Sequence, residues 1–252
     1  MMNIRSSLIL FLALCSMIPC HAQQTPFLSA DDIIARMLYR NSQREKLQGG
    51  YSGARRYVLE NRKFNKRAEM LVTVNCDPDG TKHFEVVSEE GWSSANKHVL
   101  RKMLESESES SRPEVRERTS ITSENYNFQL IGTDTLESRP VYIVEVLPKR
   151  QDKYLFEGRI WVDAQDFALV RAEGKPAKNP SFWIHSVNFV QLYHKSGTSW
   201  FPVSTESLTD ARIFGKTAVT INYLDYQPNS NAEPTISQMP ELNRLEASYA
   251  HN

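Results

Sequence analysis

The sequence offers few side chains at the spacings that enzymes and metal sites require. It contains no GxSxG elbow, HExxH pair, CxxC pair or phosphate-binding glycine loop. His185 and His194 lie in or next to one strand-like segment, without the carboxylates or thiolates that usually complete a metal site. Asp163 and Asp166 flank the turn VDAQDF, where carboxylates commonly accept hydrogen bonds from the turn backbone. We therefore predict no catalytic residue, no metal ligand and no cofactor, and a binding protein rather than an enzyme.

The overall composition is that of a globular protein without a strong electrostatic field. Of 252 residues, 40% are hydrophobic and 24% are charged. Basic and acidic residues number 30 each, so the formal net charge is +0. A balanced chain does not provide the positive potential that grips a phosphate backbone, and nucleic acid is not expected as a partner.

The first residues are typical of an export signal. Arg5 precedes the apolar run LILFLALCSMI, and Ala22 stands at the last position of a cleavage site. The run is shorter than the about 20 residues that a permanent membrane span needs. Pro19 directly before Cys20 argues against lipid attachment. We predict a cleaved signal peptide over residues 1–22 and a mature chain that begins near Gln23 in the periplasm.

The cysteine count predicts a mature protein without an internal disulfide. Cys15 and Cys20 belong to the predicted signal peptide, which leaves Cys76 alone. Cys76 ends the alternating run MLVTVNC, and no base or cation near it in the sequence suggests a reactive thiol. We expect a structural role for it.

Two amphipathic helices are predicted. The segment FLSADDIIARMLYRN can be capped by Ser29, with Asp32 at the third helical position and Leu28 against Ile33. Its apolar stripe consists of Ile33, Ile34, Met37 and Leu38. The segment SSANKHVLRKMLESESESSRPE has the stripe Val99, Leu100, Met103 and Leu104. We expect its ESESES run to be a solvated link.

The rest of the chain reads as consecutive antiparallel strands. A hairpin is predicted over RAEMLVTVNCDPDGTKHFEVVSEEG, with the turn at residues 77–80. Later strands are NFQLIGTDTL, RPVYIVEVLP, LFEGRIWVD, FALVRAEG, FWIHSVNFVQLY, SWFPVSTESL and KTAVTINYLDY. Short turns between them indicate a meander rather than parallel βαβ units. Glu145, Glu157, Arg159 and Asp163 mark the wet side of their strands.

These patterns predict a mainly β (α+β) fold: a curved antiparallel sheet, or incomplete barrel, with about two helices covering its concave face. Residues 23–228 are predicted to form a single domain. Residues 229–252 form a C-terminal tail, in which PELNRLEASY suggests a helical turn. A concave sheet closed by amphipathic helices is a container, and an incompletely filled apolar interior favours an acyl chain.

Three segments resemble a known bacterial family. These are EGRIWVDAQDFALVRAEGKPAKNPSFW, VNFVQLYHKSGTSWFPVSTES and TAVTINYLDY. They are similar to outer-membrane lipoprotein-sorting proteins with a LolA-like fold, most clearly over residues 120–226. The resemblance implies a periplasmic protein, an incomplete β-barrel covered by helices and an apolar cavity for acyl chains. It also implies a gating arginine, for which Arg55, Arg56 and Arg62 are the candidates.

The leading hypothesis is a monomeric periplasmic carrier or chaperone for lipoprotein acyl chains or lipid. Acyl chains would enter between the sheet and the helices and be handed to an inner- or outer-membrane protein, for transfer toward the outer membrane. The alternatives are a lipid-sensing regulatory module that signals through a protein partner, and an exported hydrolase. The predicted lining residues are Ile34, Met37, Leu38, Met70, Val72, Val74, Phe84, Val86, Leu100, Met103, Tyr142, Val144, Ile160, Val162, Val219 and Ile221.

Overall fold

The computed structural model describes residues 28–179, 184–212 and 215–229, which form one ten-stranded antiparallel sheet and two helical regions. The strands are β1 (Tyr51–Asn61), β2 (Lys66–Cys76), β3 (Lys82–Gly91), β4 (Tyr126–Leu136), β5 (Arg139–Pro148), β6 (Phe156–Asp163), β7 (Leu169–Pro176), β8 (Ile184–Ser196), β9 (Ser199–Ala211) and β10 (Gly215–Pro228). The first helical region is α1 (Ala30–Gln48). The second contains α2 (Ser93–Ala95), a π-helical turn (Asn96–Leu100), α3 (Arg101–Ser111) and α4 (Pro113–Thr119).

The sheet is a meander that remains open between two edge strands. Its order is β3-β2-β1-β10-β9-β8-β7-β6-β5-β4, so all consecutive strands except β3 and β4 are neighbours, and β10 pairs with β1. The chain must travel from edge strand β3 to the opposite edge strand β4, and the second helical region makes this crossing. The predicted meander and its hairpin at residues 77–80 are confirmed. Strand β1 begins at Tyr51, directly after the two glycines that follow α1.

Helix α1 begins and ends as its sequence predicts. The Ser29 hydroxyl accepts a hydrogen bond from the Asp32 amide, and the Asp32 carboxylate accepts one from the Ser29 amide, which completes a capping box. The helix ends at Gly49, whose φ of 61° lies in the left-handed region that glycine tolerates best. Ile33, Ile34 and Met37 are buried beneath it.

The second helical region departs from the prediction in two places. The π-helical turn inserts extra backbone before α3, and this change of phase leaves Val99 39% exposed although Leu100 is fully buried. The expectation of a solvated link at the ESESES run is wrong, because these residues continue α3 to Ser111. Glu107 in this run and Ser111 directly after it point toward the sheet, where both make hydrogen bonds.

Two hydrophobic cores lie on one face of the sheet. The first core packs α1 on the strands near β4; it contains Ala30, Ile33, Ile34, Met37, Tyr126, Val144, Val146, Leu155, Ile160, Val162 and Ala172. The second core packs the second helical region on the strands near β3; it contains Tyr57, Leu59, Ala68, Met70, Val72, Ala95, Leu100, Leu104, Val219 and Ile221. The helices therefore cover the two ends of the same face separately.

The opposite face of the sheet carries a smaller cluster of apolar side chains. Val141, Trp161 and Val170 are buried there, and the Arg171 guanidinium lies 4.9 Å from the centre of the Trp161 ring. Strand β6 therefore carries apolar side chains on both of its faces, Ile160 and Val162 on one and Trp161 on the other.

Asp163 does not face solvent as the sequence pattern predicted. Its side chain is fully buried, where the sequence pattern predicted exposure. Its carboxylate accepts hydrogen bonds from the Gln165 and Asp166 amides and from the Arg139 guanidinium, so it is neutralised inside the turn. The expected role of Asp163 in the VDAQDF turn is thereby confirmed.

The predicted fold class is confirmed: the protein is mainly β, with an open, curved antiparallel sheet covered by helices. The predicted signal peptide and nearly all of the predicted tail lie outside the described residues, and the single domain over 23–228 stays a prediction. Among the helices that the structure describes, none has the length and apolar character required to cross a bilayer.

Candidate functional site

Cross-strand pairing shows how the covered face changes from apolar to polar and back. One row of paired residues runs Val144, Ile160, Ala172, Gln191, Thr205, Ile221, Tyr57 and Met70. The next row runs Val146, Gly158, Gly174, Phe189, Ser207, Val219, Leu59 and Ala68. Directly paired residues project from the same face. Both rows are therefore apolar at their ends, and in the middle they carry the polar residues Gln191, Thr205 and Ser207 beside one aromatic residue, Phe189.

We call the middle of these rows the central strip; it consists of Phe189, Gln191, Thr205 and Ser207. All four residues are half-buried, whereas the paired positions in the two cores are mostly fully buried. The Gln191 amide donates to the Tyr223 hydroxyl at 3.4 Å, and the Thr205 hydroxyl lies 3.3 Å from the same oxygen. The strip is thus a half-buried floor between two apolar walls; three of its side chains are polar, and the fourth, Phe189, packs against Phe156 at the edge of the first core.

A partly buried cluster of charged groups adjoins the strip. Arg55 on β1 is 2% exposed and donates to both carboxylate oxygens of Glu107 on α3, at 2.9 and 3.0 Å. The Lys82 ammonium on β3 lies 2.7 Å from Glu107 Oε1. The Tyr223 ring lies 4.6 Å from the Arg55 guanidinium, which connects the cluster to the strip.

The ionisation of this cluster follows from its geometry. Burial alone would raise the pKa of Glu107, but Lys82 and Arg55 outweigh it and hold that pKa at about 2. Burial alone would lower the pKa values of Arg55 and Lys82, and the Glu107 carboxylate raises both instead. All three groups are therefore charged at neutral pH, and together they tie helix α3 to strands β1 and β3.

The three candidate arginines have different surroundings. Arg55 faces the helices and is buried in the charged cluster. Arg56 is exposed and bridges to Glu69, and Arg62 is exposed. Only Arg55, of these three, contacts a covering helix in the part of the chain that the structure describes.

The structure divides the sixteen predicted lining residues between the two cores. Those that contribute to the first core are Ile34, Met37, Leu38, Tyr142, Val144, Ile160 and Val162. Those that contribute to the second are Met70, Val72, Phe84, Val86, Leu100, Met103, Val219 and Ile221, and Val74 is buried on the same strand. Half-buried among them are Leu38, Phe84, Val86, Met103 and Tyr142; the others are fully buried. Their role as ligand contacts stays a prediction.

Two residues of the charged cluster were missed at the sequence level, although each carried a signal. Glu107 follows Leu100 by seven positions and Leu104 by three, which at helical period is the face of the apolar stripe. Lys82 precedes Phe84 and Val86 by even intervals, which places it on their face of the strand. Glu107 was assigned to solvent with the rest of the ESESES run, and its carboxylate can turn inward because Arg55 and Lys82 both pair with it.

A cleft of about 440 Å³ elsewhere on the sheet is a poorer site for an apolar ligand. Most of its lining comes from residues that alternate with the core positions of β1, β2 and β3, such as Ser52, Thr73 and His83. Only Val74 and Phe84 of the predicted lining residues contribute to it. No three His, Cys, Asp or Glu side chains in the described ranges are grouped so that they could hold a metal ion.

Comparison with known proteins gives a family match over part of the chain. Residues 120–229 match a family of unknown function, DUF5686. Comparison with curated protein sequences finds no match.

Solved structures are similar to the chain in overall arrangement, at low sequence identity. An outer membrane lipoprotein-sorting protein domain from Vibrio parahaemolyticus is 13% identical, with a TM-score of 0.41, covering 79% of this chain and 93% of its own. A DUF1329 family protein from Desulfovibrio piger is 11% identical, with a TM-score of 0.40 and coverages of 81% and 95%. A LolA superfamily protein from Nitrosomonas europaea is 10% identical, with a TM-score of 0.37 and coverages of 81% and 94%.

Proposed function

We propose that the protein is a periplasmic carrier that holds acyl chains of lipoproteins or lipids between its sheet and its covering helices, for transfer toward the outer membrane. The observation that supports this best is the half-buried central strip between two separately covered cores on one face. Each core also carries apolar side chains that are only half-buried, such as Leu38 in the first and Met103 in the second, which an acyl chain could cover. Each methylene buried in this way contributes about 0.8 kcal/mol.

Admission of a chain requires movement of the helices. Most predicted lining residues are fully buried beneath α1 and the second helical region. The charged cluster joins α3 to β1 and β3, so it is the contact that must loosen when α3 moves outward. The carrier cycle then consists of passive opening, apolar burial of the chain, and release to a membrane partner that competes for it.

The first experiment is native mass spectrometry, with lipid extraction, of the protein purified from a bacterial periplasm. We expect an acyl-bearing species to co-purify. A protein that stays free of lipid, also after incubation with lipopeptides, would contradict the proposal.

A pair of variants on β9 localises the chain. Ser207→Phe should lower acyl-chain binding at least tenfold, because a phenyl ring between Phe189 and Val219 would fill the central strip. Displacement of the neutral fluorescent probe N-phenyl-1-naphthylamine by a neutral monoacylglycerol measures this. Glu206→Phe is the matched control, since Glu206 is the exposed neighbour on the opposite face. Equal binding by the two variants would place the chain elsewhere.

A further inference from the structure

The charged cluster contains more positive than negative charge. Glu107 is a single carboxylate shared by the Arg55 guanidinium and the Lys82 ammonium, which leaves an excess of one positive charge. Among the described residues, the thiol of Cys76 and the phenols of Tyr51, Tyr57, Tyr193 and Tyr223 also lie near the cluster. Burial raises the pKa values of Cys76, Tyr51, Tyr57 and Tyr193, so these four groups remain neutral at physiological pH. An excess of positive charge in a mostly apolar interior attracts a further anion.

The cluster also contains a hydrogen-bond donor without an acceptor. The Tyr57 hydroxyl is buried, and no residue within the described ranges accepts a hydrogen bond from it. A buried donor left unsatisfied costs free energy, and an anionic oxygen is the strongest acceptor that could satisfy it. Tyr57 neighbours Arg55 on the inward face of β1, two residues along the strand.

The placement of the three charged groups decides what happens when the helices open. Arg55 and Lys82 lie on the sheet, whereas Glu107 lies on helix α3. If α3 moves outward to admit a chain, Glu107 leaves with it and both cations stay behind. Glu107 and Lys82 are 27% and 28% exposed even in the closed arrangement, so the cluster is already reachable from solvent. Two cations without a counter-ion raise the free energy of the open arrangement unless the ligand supplies the negative charge.

We infer that the ligand is an amphiphile with an anionic head group, a carboxylate or a phosphate, whose oxygens take the place of the Glu107 carboxylate between Arg55 and Lys82. This rests on the proposed carrier function and adds the chemical class of the ligand to it. The Tyr57 hydroxyl donates a hydrogen bond to the same head group, and the acyl chain extends from the cluster along the central strip.

The test compares three ligands with the same oleoyl chain. Oleate carries a carboxylate, 1-oleoyl lysophosphatidic acid carries a phosphate, and 1-oleoylglycerol is neutral. Each displaces N-phenyl-1-naphthylamine from the full mature chain, below its critical micelle concentration. We expect at least one anionic ligand to bind about tenfold or more tightly than 1-oleoylglycerol, the gain typical of charge-assisted hydrogen bonds. Which of the two anions binds more tightly distinguishes a fatty acid from a phospholipid source.

Three variants connect the preference to the cluster. Lys82→Met should reduce the ratio of anionic to neutral affinity several-fold, and Glu107→Gln should increase it, because it removes the competing carboxylate. Lys102→Met is the matched control: it removes an equal charge from an exposed position on α3, and the ratio should not change. The opposite directions of the first two variants cannot both result from loss of folding.

The outcomes separate this inference from the proposed function. If all three ligands displace the probe equally well, the carrier function stands and the anionic head group is wrong. The carrier function likewise stands, and the anionic head group is wrong, if Lys102→Met changes the ratio of anionic to neutral affinity as much as Lys82→Met does. If none of the three displaces the probe, the proposed function fails, and the inference fails with it.

Discussion

The Glu107 carboxylate connects helix α3 to the sheet, and its ionisation makes this connection depend on pH. Its carboxylate receives hydrogen bonds from Arg55 on β1 and Lys82 on β3, on the two strands that flank β2. A carboxylate stabilised in this way has a lower pKa in the folded protein than in the unfolded chain. The folded value is about 2, against an ordinary value of 4.5.

This difference predicts a pH-dependent contribution to stability. Because the folded pKa is depressed, the contribution is fully present above about pH 4.5 and is lost as the pH falls toward about 2. Glu107→Gln should therefore lower the free energy of unfolding by about 1–3 kcal/mol at pH 7. The difference between wild type and variant should narrow between pH 4.5 and pH 2 in urea titrations. A difference that does not change over this range would mean that Glu107 is not ion-paired in the folded state.

In the second helical region, a π-helical turn changes which residues of the predicted apolar stripe face the core. A regular helix would place Val99 and Leu100 on the edge and centre of one apolar face, as the sequence predicted. The π-helical turn Asn96–Leu100 rotates Val99 outward and leaves Leu100 in the second core. The turn precedes α3, so the orientation of Glu107 depends on it as well.

Two adjacent substitutions test this phase. Leu100→Ala should lower the free energy of unfolding by about 2–5 kcal/mol, because it removes a fully buried side chain. Val99→Ala should change it by less than about 0.5 kcal/mol, as expected at an exposed helical position. Chemical denaturation of both variants gives the comparison. Similar losses at the two positions would show that Val99 also packs in the second core and does not face solvent.

At the scale of the whole molecule, one sheet carries two cores. The cores share no covering helix, and the strands β8, β9 and β10 connect them through continuous backbone pairing. The separation creates the central strip, and the continuous sheet keeps its two walls in register. A carrier needs both properties, since the walls must part locally without unfolding the molecule.

We predict that the two cores unfold in one transition, as expected of a single domain. Ile160→Ala in the first core and Met70→Ala in the second should each destabilise by about 2–5 kcal/mol. In each variant, tryptophan fluorescence and far-ultraviolet circular dichroism should report coincident urea transitions. Two separated transitions, only one of which moves in each variant, would show that the cores are independent units.

Local sequence patterns were sufficient to predict most of the helices and strands and most of the residues on the covered face. The capping box at Ser29, the turn at residues 77–80 and the period-2 alternation of the strands depend on neighbours in the chain, so local chemistry was sufficient. All sixteen predicted lining residues lie buried or half-buried for the same reason. The tertiary structure decided three things that depend on residues distant in sequence. It divided those residues between two cores, it placed the polar central strip between them, and it brought Glu107, Lys82 and Arg55 together. A charged side chain turns inward only when counter-charges meet it there, and residues 52 positions apart, such as Arg55 and Glu107, meet through the fold rather than through the local pattern.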